Sequence, residues 1–296
     1  MDTANLKTFI AAAELASFSL AAERLFLTQP AVSKRISALE SELGTRLFDR
    51  ISRRVSLTEA GRMLLPRARD ILHEIDDSLR LIANLSGEVG GRLSIGTSHH
   101  IGLHRLPPVL RRYSRDYPNV ELDLCFMDSE AACRAVQTGR LELGIVTLPL
   151  TPLVDLDSER IWADPLRIVA GREHPLTGQR CIQPSQLSAY AAILPAHGTY
   201  TRELLEAAIG PEAGGLRVSM TTNYLETIKM LVSVGLGWSV LPQTMLSDDL
   251  RTLDVPDIPL TRQLGVVHHR QRTLSNAASA MLRQLQASRH GDCEQE

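Results

Sequence analysis

The chain has 296 residues, 44% hydrophobic and 22% charged. Those values fit a globular protein of two domains and exclude a disordered chain, a collagen-like repeat and a small disulfide scaffold. Thirty-two Lys and Arg residues face 34 Asp and Glu residues, a formal net charge of −2, which alone argues against a nucleic-acid binder.

No stretch approaches the roughly eighteen unbroken apolar residues of a membrane span. The start, Met1-Asp2-Thr3-Ala4-Asn5, lacks the basic head and apolar run of a secretory signal, so the cytoplasm is the expected compartment and no membrane a partner. Cys125, Cys133, Cys181 and Cys293 are scattered without metal-ligand spacing. They read as incidental thiols, with no metal and no cofactor expected.

In chain order, Leu6, Phe9, Ile10 and Ala13 recur at helical spacing. Ser17-Phe18-Ser19 interrupts them, and residues 20–25 make a short second helix. Thr28 caps a third, with Pro30 tolerated in its first turn and Gly44 a natural stop. Its apolar stripe is Val32, Ile36, Leu39 and Leu43. Two β-like runs, 47–50 and 55–57, flank Ser52-Arg53-Arg54, and Ser56-Leu57-Thr58-Glu59 fits a capping box.

A helical pattern then runs to about Leu85. Leu64, Ala68, Ile71, Ile75, Ser78, Ile82 and Leu85 alternate spacings of four and three, the seam of a coiled coil. An amphipathic helix lying on its own domain is the alternative. The dimer helix is preferred, because so small a domain has little core to cover that length.

Gly87, Gly90 and Gly91 mark a domain boundary. Beyond them strand-like runs at 92–97, 120–127, 141–148, 166–171, 191–195, 217–222, 237–242 and 264–268 alternate with helical stretches. This βαβ rhythm implies parallel or mixed sheets covered by helices, in one large α/β domain or two small lobes.

A short helix, a turn and a capped helix form a helix-turn-helix, whose second helix enters the major groove. At 100° per residue, the face opposite the apolar stripe carries Pro30, Ser33, Lys34, Ser37 and Ser41. Small hydroxyl residues let a helix approach DNA closely. Gln29 is placed for a bidentate contact with adenine, and Lys34 and Arg35 for phosphates. Arg53 and Arg54 tip a β-wing, where arginine enters the minor groove. Between positions 24 and 54 there are seven bases and three acids, so the near-neutral total conceals a local +4.

The run NLKTFIAAAELASFSLAAERLFLTQPAVSKRISALESELGTRLFDRISRRVSLTEAG resembles the N-terminal domain of LysR-type transcriptional regulators. GLGWSVLP, at 235–242, is similar to a motif common in that family's effector domain. The resemblance covers nearly the full length, strongly over residues 1–62. It implies an α+β multidomain fold: a winged helix-turn-helix at 1–62, a linker and dimerisation helix at 58–87, and an α/β effector domain at 90–296. That domain would be a type-2 periplasmic-binding-protein fold, one lobe at 90–161 with 267–288 and the other at 162–266.

The resemblance further implies a non-enzymatic, sequence-specific regulator. Its partners would be double-stranded promoter DNA, a small-molecule effector, further copies in a homodimer or homotetramer, and RNA polymerase. In the family, residues matching Gln29, Pro30, Ser33 and Lys34 touch bases or phosphates, and the one matching Arg53 lies in the wing. The position of Lys34 is often arginine in relatives, and lysine lacks the bidentate fork for guanine.

Ligands of open α/β sheets bind beyond strand carboxyl ends, at helix N-termini. Two such loops are Thr97-Ser98-His99-His100 and Gly198-Thr199-Tyr200-Thr201. The resemblance places the effector pocket between them. Their hydroxyls and backbone N–H groups suit a carboxylate or another oxyanion. Asp128, Ser129, Thr147, Asn223 and His268 follow other strand ends and are candidates for the same cleft.

Other readings remain open. His99, His100, His104, His268 and His269 suggest a metal, but no acidic or cysteine partner stands at ligand spacing. Cys125 and Cys133 suggest a redox sensor, without adjacent bases that clearly lower a thiol pKa. Ser98, His99 and Asp128 are hydrolase residue types without a G-x-S-x-G elbow. Control of the sensor domain by a protein partner in place of a small molecule is a further alternative.

Overall fold

The computed structural model describes residues 1–51, 54–210, 215–256, 258 and 260–289. The chain divides into two compact units, Met1–Ser86 and Gly87–Glu296.

The first unit contains α1 (Thr3–Leu15), α2 (Phe18–Arg24), α3 (Gln29–Leu43), β1 (Phe48–Ile51), β2 (Arg54–Leu57) and α4 (Glu59–Asn84). Each helix starts at a capping side chain. Ser17 Oγ accepts from the Leu20 N–H and Thr28 Oγ1 from the Ala31 N–H. The cap of α4 is Thr58, whose Oγ1 accepts from the Gly61 N–H at 3.0 Å. The capping-box expectation put it two residues earlier, at Ser56, which instead pairs in β2 opposite Asp49.

Val32, Ile36 and Leu39 carry α3 into a core with Leu6, Phe9 and Phe48. Leu43, expected on that stripe, is exposed in the last turn, just before Gly44 closes the helix in the left-handed region at φ 65°. Phe48 docks the wing by meeting Phe9 and Phe18 at ring distances of 5.5 and 5.3 Å.

The fourth helix lies on its own unit over the first part of its length and leaves that core over the rest. Ala68 is buried, and Leu64, Leu65 and Leu72 pack on the unit's own core. Beyond that, Leu79, Ile82 and Leu85 are 62%, 67% and 85% exposed. The seam outlasts the core that could cover it.

The second unit contains β3 (Gly91–Thr97), α5 (His99–His104), α6 (Leu106–Asp116), β4 (Val120–Phe126), α7 (Ser129–Gln137), β5 (Leu143–Thr147) and β6 (Leu156–Gly171). It continues with α8 (Pro184–Leu187), β7 (Ala192–Leu194), α9 (Tyr200–Ile209), β8 (Val218–Thr221), α10 (Leu225–Ser233), β9 (Trp238–Pro242), β10 (Leu250–Thr252), β11 (Thr261–His269) and α11 (Asn276–Ser288). Strands follow the order β4-β3-β5-β11-β6-β9-β7-β8, with β10 also pairing β6.

Four apolar clusters pack against this sheet, and two of them show where it divides. Leu93, Ile95, Tyr113, Leu143, Ile161, Trp162, Leu264 and Val266 belong to one. Leu166, Ile168, Leu194, Leu205, Trp238 and Leu260 belong to the other. The division therefore falls between Trp162 and Leu166 and between Leu260 and Leu264. Sequence boundaries at 161 and 267 had put Trp162, Leu264 and Val266 on the far side. β6 and β11 run antiparallel through the crossing, where Arg262 stands opposite Asp164 and Thr261 opposite Pro165. Among the described residues no helix is long and apolar enough to cross a membrane.

Candidate effector site and DNA-reading surface

In the second unit β3, β4, β7 and β8 deliver their C-terminal ends to one region, where α5, α7, α9 and α10 begin, and β5 ends there at Thr147. A cavity of about 300 Å³ lies among them. Ser98, His99, Asp128, Thr147, Thr199 and Thr201, all expected from the sequence, line it. Ser129 and Asn223 do so as well. The two loops read as a pocket do converge.

Three expected residues do not line this cavity. Thr97 is fully buried as the last residue of β3. Tyr200 gives its backbone N–H to Glu130 Oε1 at 2.6 Å, while its side chain packs with the core around Cys133 and borders a second cavity. His268 pairs in register with Leu143, at the start of β5, whereas the cavity gathers around Thr147 at its end. The reason is direction: β11 runs antiparallel to β5, so its first residues reach the site and its last point away.

The same geometry brings in Arg262, which the sequence reading missed. Arg262 lines the cavity and is 6% exposed. Its Nε donates to Asp164 Oδ2 at 2.6 Å, and its Nη1 donates to Thr201 Oγ1 at 3.1 Å. Nη2 has no hydrogen-bond partner among the described residues. The available signal was parity. Arg262 stands two residues before the buried Leu264, on a strand whose alternation sends both inward.

Other lining groups shape the site. Asn223 Nδ2 donates to Asp128 Oδ2 at 2.7 Å, tying the two sides of the cavity together. Burial pushes the Glu130 carboxyl up, against the lowering effect of the Tyr200 N–H. Burial, with Arg262, His104 and Arg105 nearby, brings the His100 imidazole down to about 3, so it is neutral. Ser98 Oγ caps α5 by accepting from the Ile101 N–H.

The hydrolase residue types are each engaged elsewhere. Ser98 is a helix cap, and Asp128 accepts from Asn223. The His99 ring lies on Phe126 and against the edge of Tyr224, at 5.3 and 5.0 Å. Burial pushes the Cys133 thiol up to about 11, against the thiolate that a redox role needs.

In the first unit Gln29, Pro30, Lys34 and Ser37 are exposed on α3, and Ser33 is half-buried. Arg35 is half-buried, with Nη1 reaching Thr8 Oγ1 on α1 at 3.5 Å. It flanks the apolar stripe and turns partly toward its own unit. Arg54 lies in β2, and Arg53 falls outside the described residues.

The description "Bacterial regulatory helix-turn-helix protein, lysR family" matches residues 3–62, and "LysR substrate binding domain" matches residues 86–289. The chain belongs to the LysR family of transcriptional regulators. A LysR-type regulator thus carries its helix-turn-helix in the first unit and its substrate-binding domain in the second.

An uncharacterised regulator in the ibpB-leuC intergenic region of Azotobacter vinelandii is 66% identical over 108 residues, 36% of this chain and 75% of that one. The uncharacterised regulator YeiE of Escherichia coli is 33% identical over 282 residues, 94% of each chain. The Synechocystis CcmR regulatory domain, solved in complex with 2-PG, is 27% identical with a TM-score of 0.61, covering 68% of this chain and 98% of that one.

Proposed function

We propose that this LysR-type regulator reads promoter DNA through the exposed face of α3 and responds to a small anion held in the cavity beside Arg262. The observation that carries the effector reading is Arg262 itself. A buried guanidinium with two nitrogens fixed by Asp164 and Thr201 and a third unpartnered is a prepared half of a bidentate oxyanion contact. Ser98, Thr199 and Thr201 add hydroxyls around the same cavity. The complex of the related CcmR domain with 2-PG supports a small-molecule ligand.

On DNA, Gln29 reads a base edge, and Pro30, Ser33, Lys34 and Ser37 form the contacting face, with Arg53 and Arg54 in the wing. Copies pair along the exposed half of α4 and two pairs make a tetramer. RNA polymerase is the transcriptional partner, and the protein works in the cytoplasm.

The test is binding to DNA selected from a random pool by the wild-type chain. Gln29→Ala should weaken selected DNA by about 1–3 kcal/mol and leave random DNA unaffected. Arg53→Ala should weaken both and flatten the salt dependence. Wild-type binding by both variants would show that another surface reads DNA.

A further inference from the structure

The sequence shows five clustered histidines without an acidic partner, and folding supplies one. His100 and His104 stand four residues apart on α5, on one face, with ring centroids 4.8 Å apart. Glu226, 122 positions beyond His104, sits in the first turn of α10. Its Oε1 is 3.2 Å from His104 Nε2. One ligand atom from each of the three residues lies within 4.8 Å of the others.

The His100 ring is an independent pointer. It is 4% exposed, and among the described residues neither ring nitrogen has a hydrogen-bond partner. A buried imidazole in that state is unusual unless something binds it. The nearby cations Arg262 and Arg105 oppose a further positive charge. Asp164, fully buried and 3.9 Å from His100 Nε2, offsets them.

We propose that His100, His104 and Glu226 form a zinc-class divalent metal site at the rim of the effector cavity. Two imidazoles and one carboxylate are the donor set of an open zinc or nickel site, with a remaining position for water or an effector oxygen. His100 and Leu225 both line the cavity, so the site adjoins the anion subsite without depending on it. His100 belongs to α5, whose Ile101 packs in the first core, and Glu226 to α10, whose Ile228 packs in a separate cluster with Val169 and Ile193. A bound ion therefore ties α5 to α10 across the cavity mouth.

The experiment titrates the chelator-stripped full chain with zinc chloride by calorimetry, followed by cobalt chloride read by its visible absorption. The expected result is one saturable equivalent per chain, with cobalt bands of a nitrogen and oxygen site. His104→Ala and Glu226→Gln should each weaken zinc at least about tenfold. Both side chains are substantially exposed, at 41% and 43%, so both variants should fold. His268→Ala, at the far end of the sheet, should bind as wild type. The proposal is overturned by the absence of saturable zinc binding. It is equally overturned by undiminished binding in a chain carrying both His104→Ala and Glu226→Gln, which would place the metal elsewhere.

Discussion

Arg262 and Asp164 face one another in the β6–β11 register where both strands pass between the two cores, and Arg262 Nε donates to Asp164 Oδ2 at 2.6 Å. This pair couples the cavity to the crossing. Arg262 reaches the cavity, while Asp164, fully buried, fixes the guanidinium beneath it. Removing Arg262 leaves the buried Asp164 only the longer contact with Arg105 Nη2, 3.6 Å from its Oδ1. Arg262→Ala should therefore cost about 3 kcal/mol or more in urea unfolding of the second unit. A loss below about 1 kcal/mol would show that the pair is not holding the crossing together.

The acid sensitivity of this unit should trace to His100. Its folded-state value is depressed to about 3, against an ordinary value of 6.5. Below about pH 6.5 the unfolded chain takes up a proton that the folded chain refuses. Stability should then fall by roughly 1 kcal/mol per pH unit from this residue alone, until about pH 3. Above pH 6.5 the contribution is flat. In His100→Gln the curve between pH 6 and 4 should be shallower than wild type by that amount. Parallel curves would contradict the assignment.

Thiol reactivity gives a separate check. With its value at about 11, Cys133 carries a thiolate in only about one molecule in ten thousand at neutral pH. Cys181 is exposed. A thiol reagent should label Cys181 well before Cys133, and peroxide should leave DNA binding unchanged in the Cys181→Ser variant. Rapid labelling of Cys133 in the folded chain would reopen a redox role.

The exposed half of α4 predicts self-association. Leu79→Asp with Ile82→Asp should lower the mass measured by light scattering to half that of the wild type or less, with helix content largely kept. An unchanged mass would show that other surfaces hold the copies together.

How far the sequence could be read depends on which pattern each element obeys. The helices of the first unit were legible because Leu6, Phe9, Val32, Ile36 and Leu39 keep helical period and Thr28 caps where it should. The first ten residues of β6 were not. Asp157 and Glu159 interrupt the apolar run at partly exposed alternate positions, and Asp164 interrupts it as a buried charge paired with Arg262. β10 is three residues long and carries no period at all. At the site, local punctuation located Ser98 and Thr199, because helix caps announce themselves in sequence. Arg262 and Glu226 arrive from the other half of the unit by strand direction and helix placement. His268 was misplaced for the same reason: the orientation of β11 is a property of the sheet, not of the residues around position 268.

The most direct test of the central claim is a thermal-shift panel of small carboxylates, sulfate and phosphate on the full chain, run beside Arg262→Lys. Lysine keeps the charge and loses the fork. At least one anion should raise the wild-type midpoint in a saturable way, and Arg262→Lys should weaken that anion about tenfold or more. Equal stabilisation of both proteins by the same anion would place its site away from Arg262 and contradict the account.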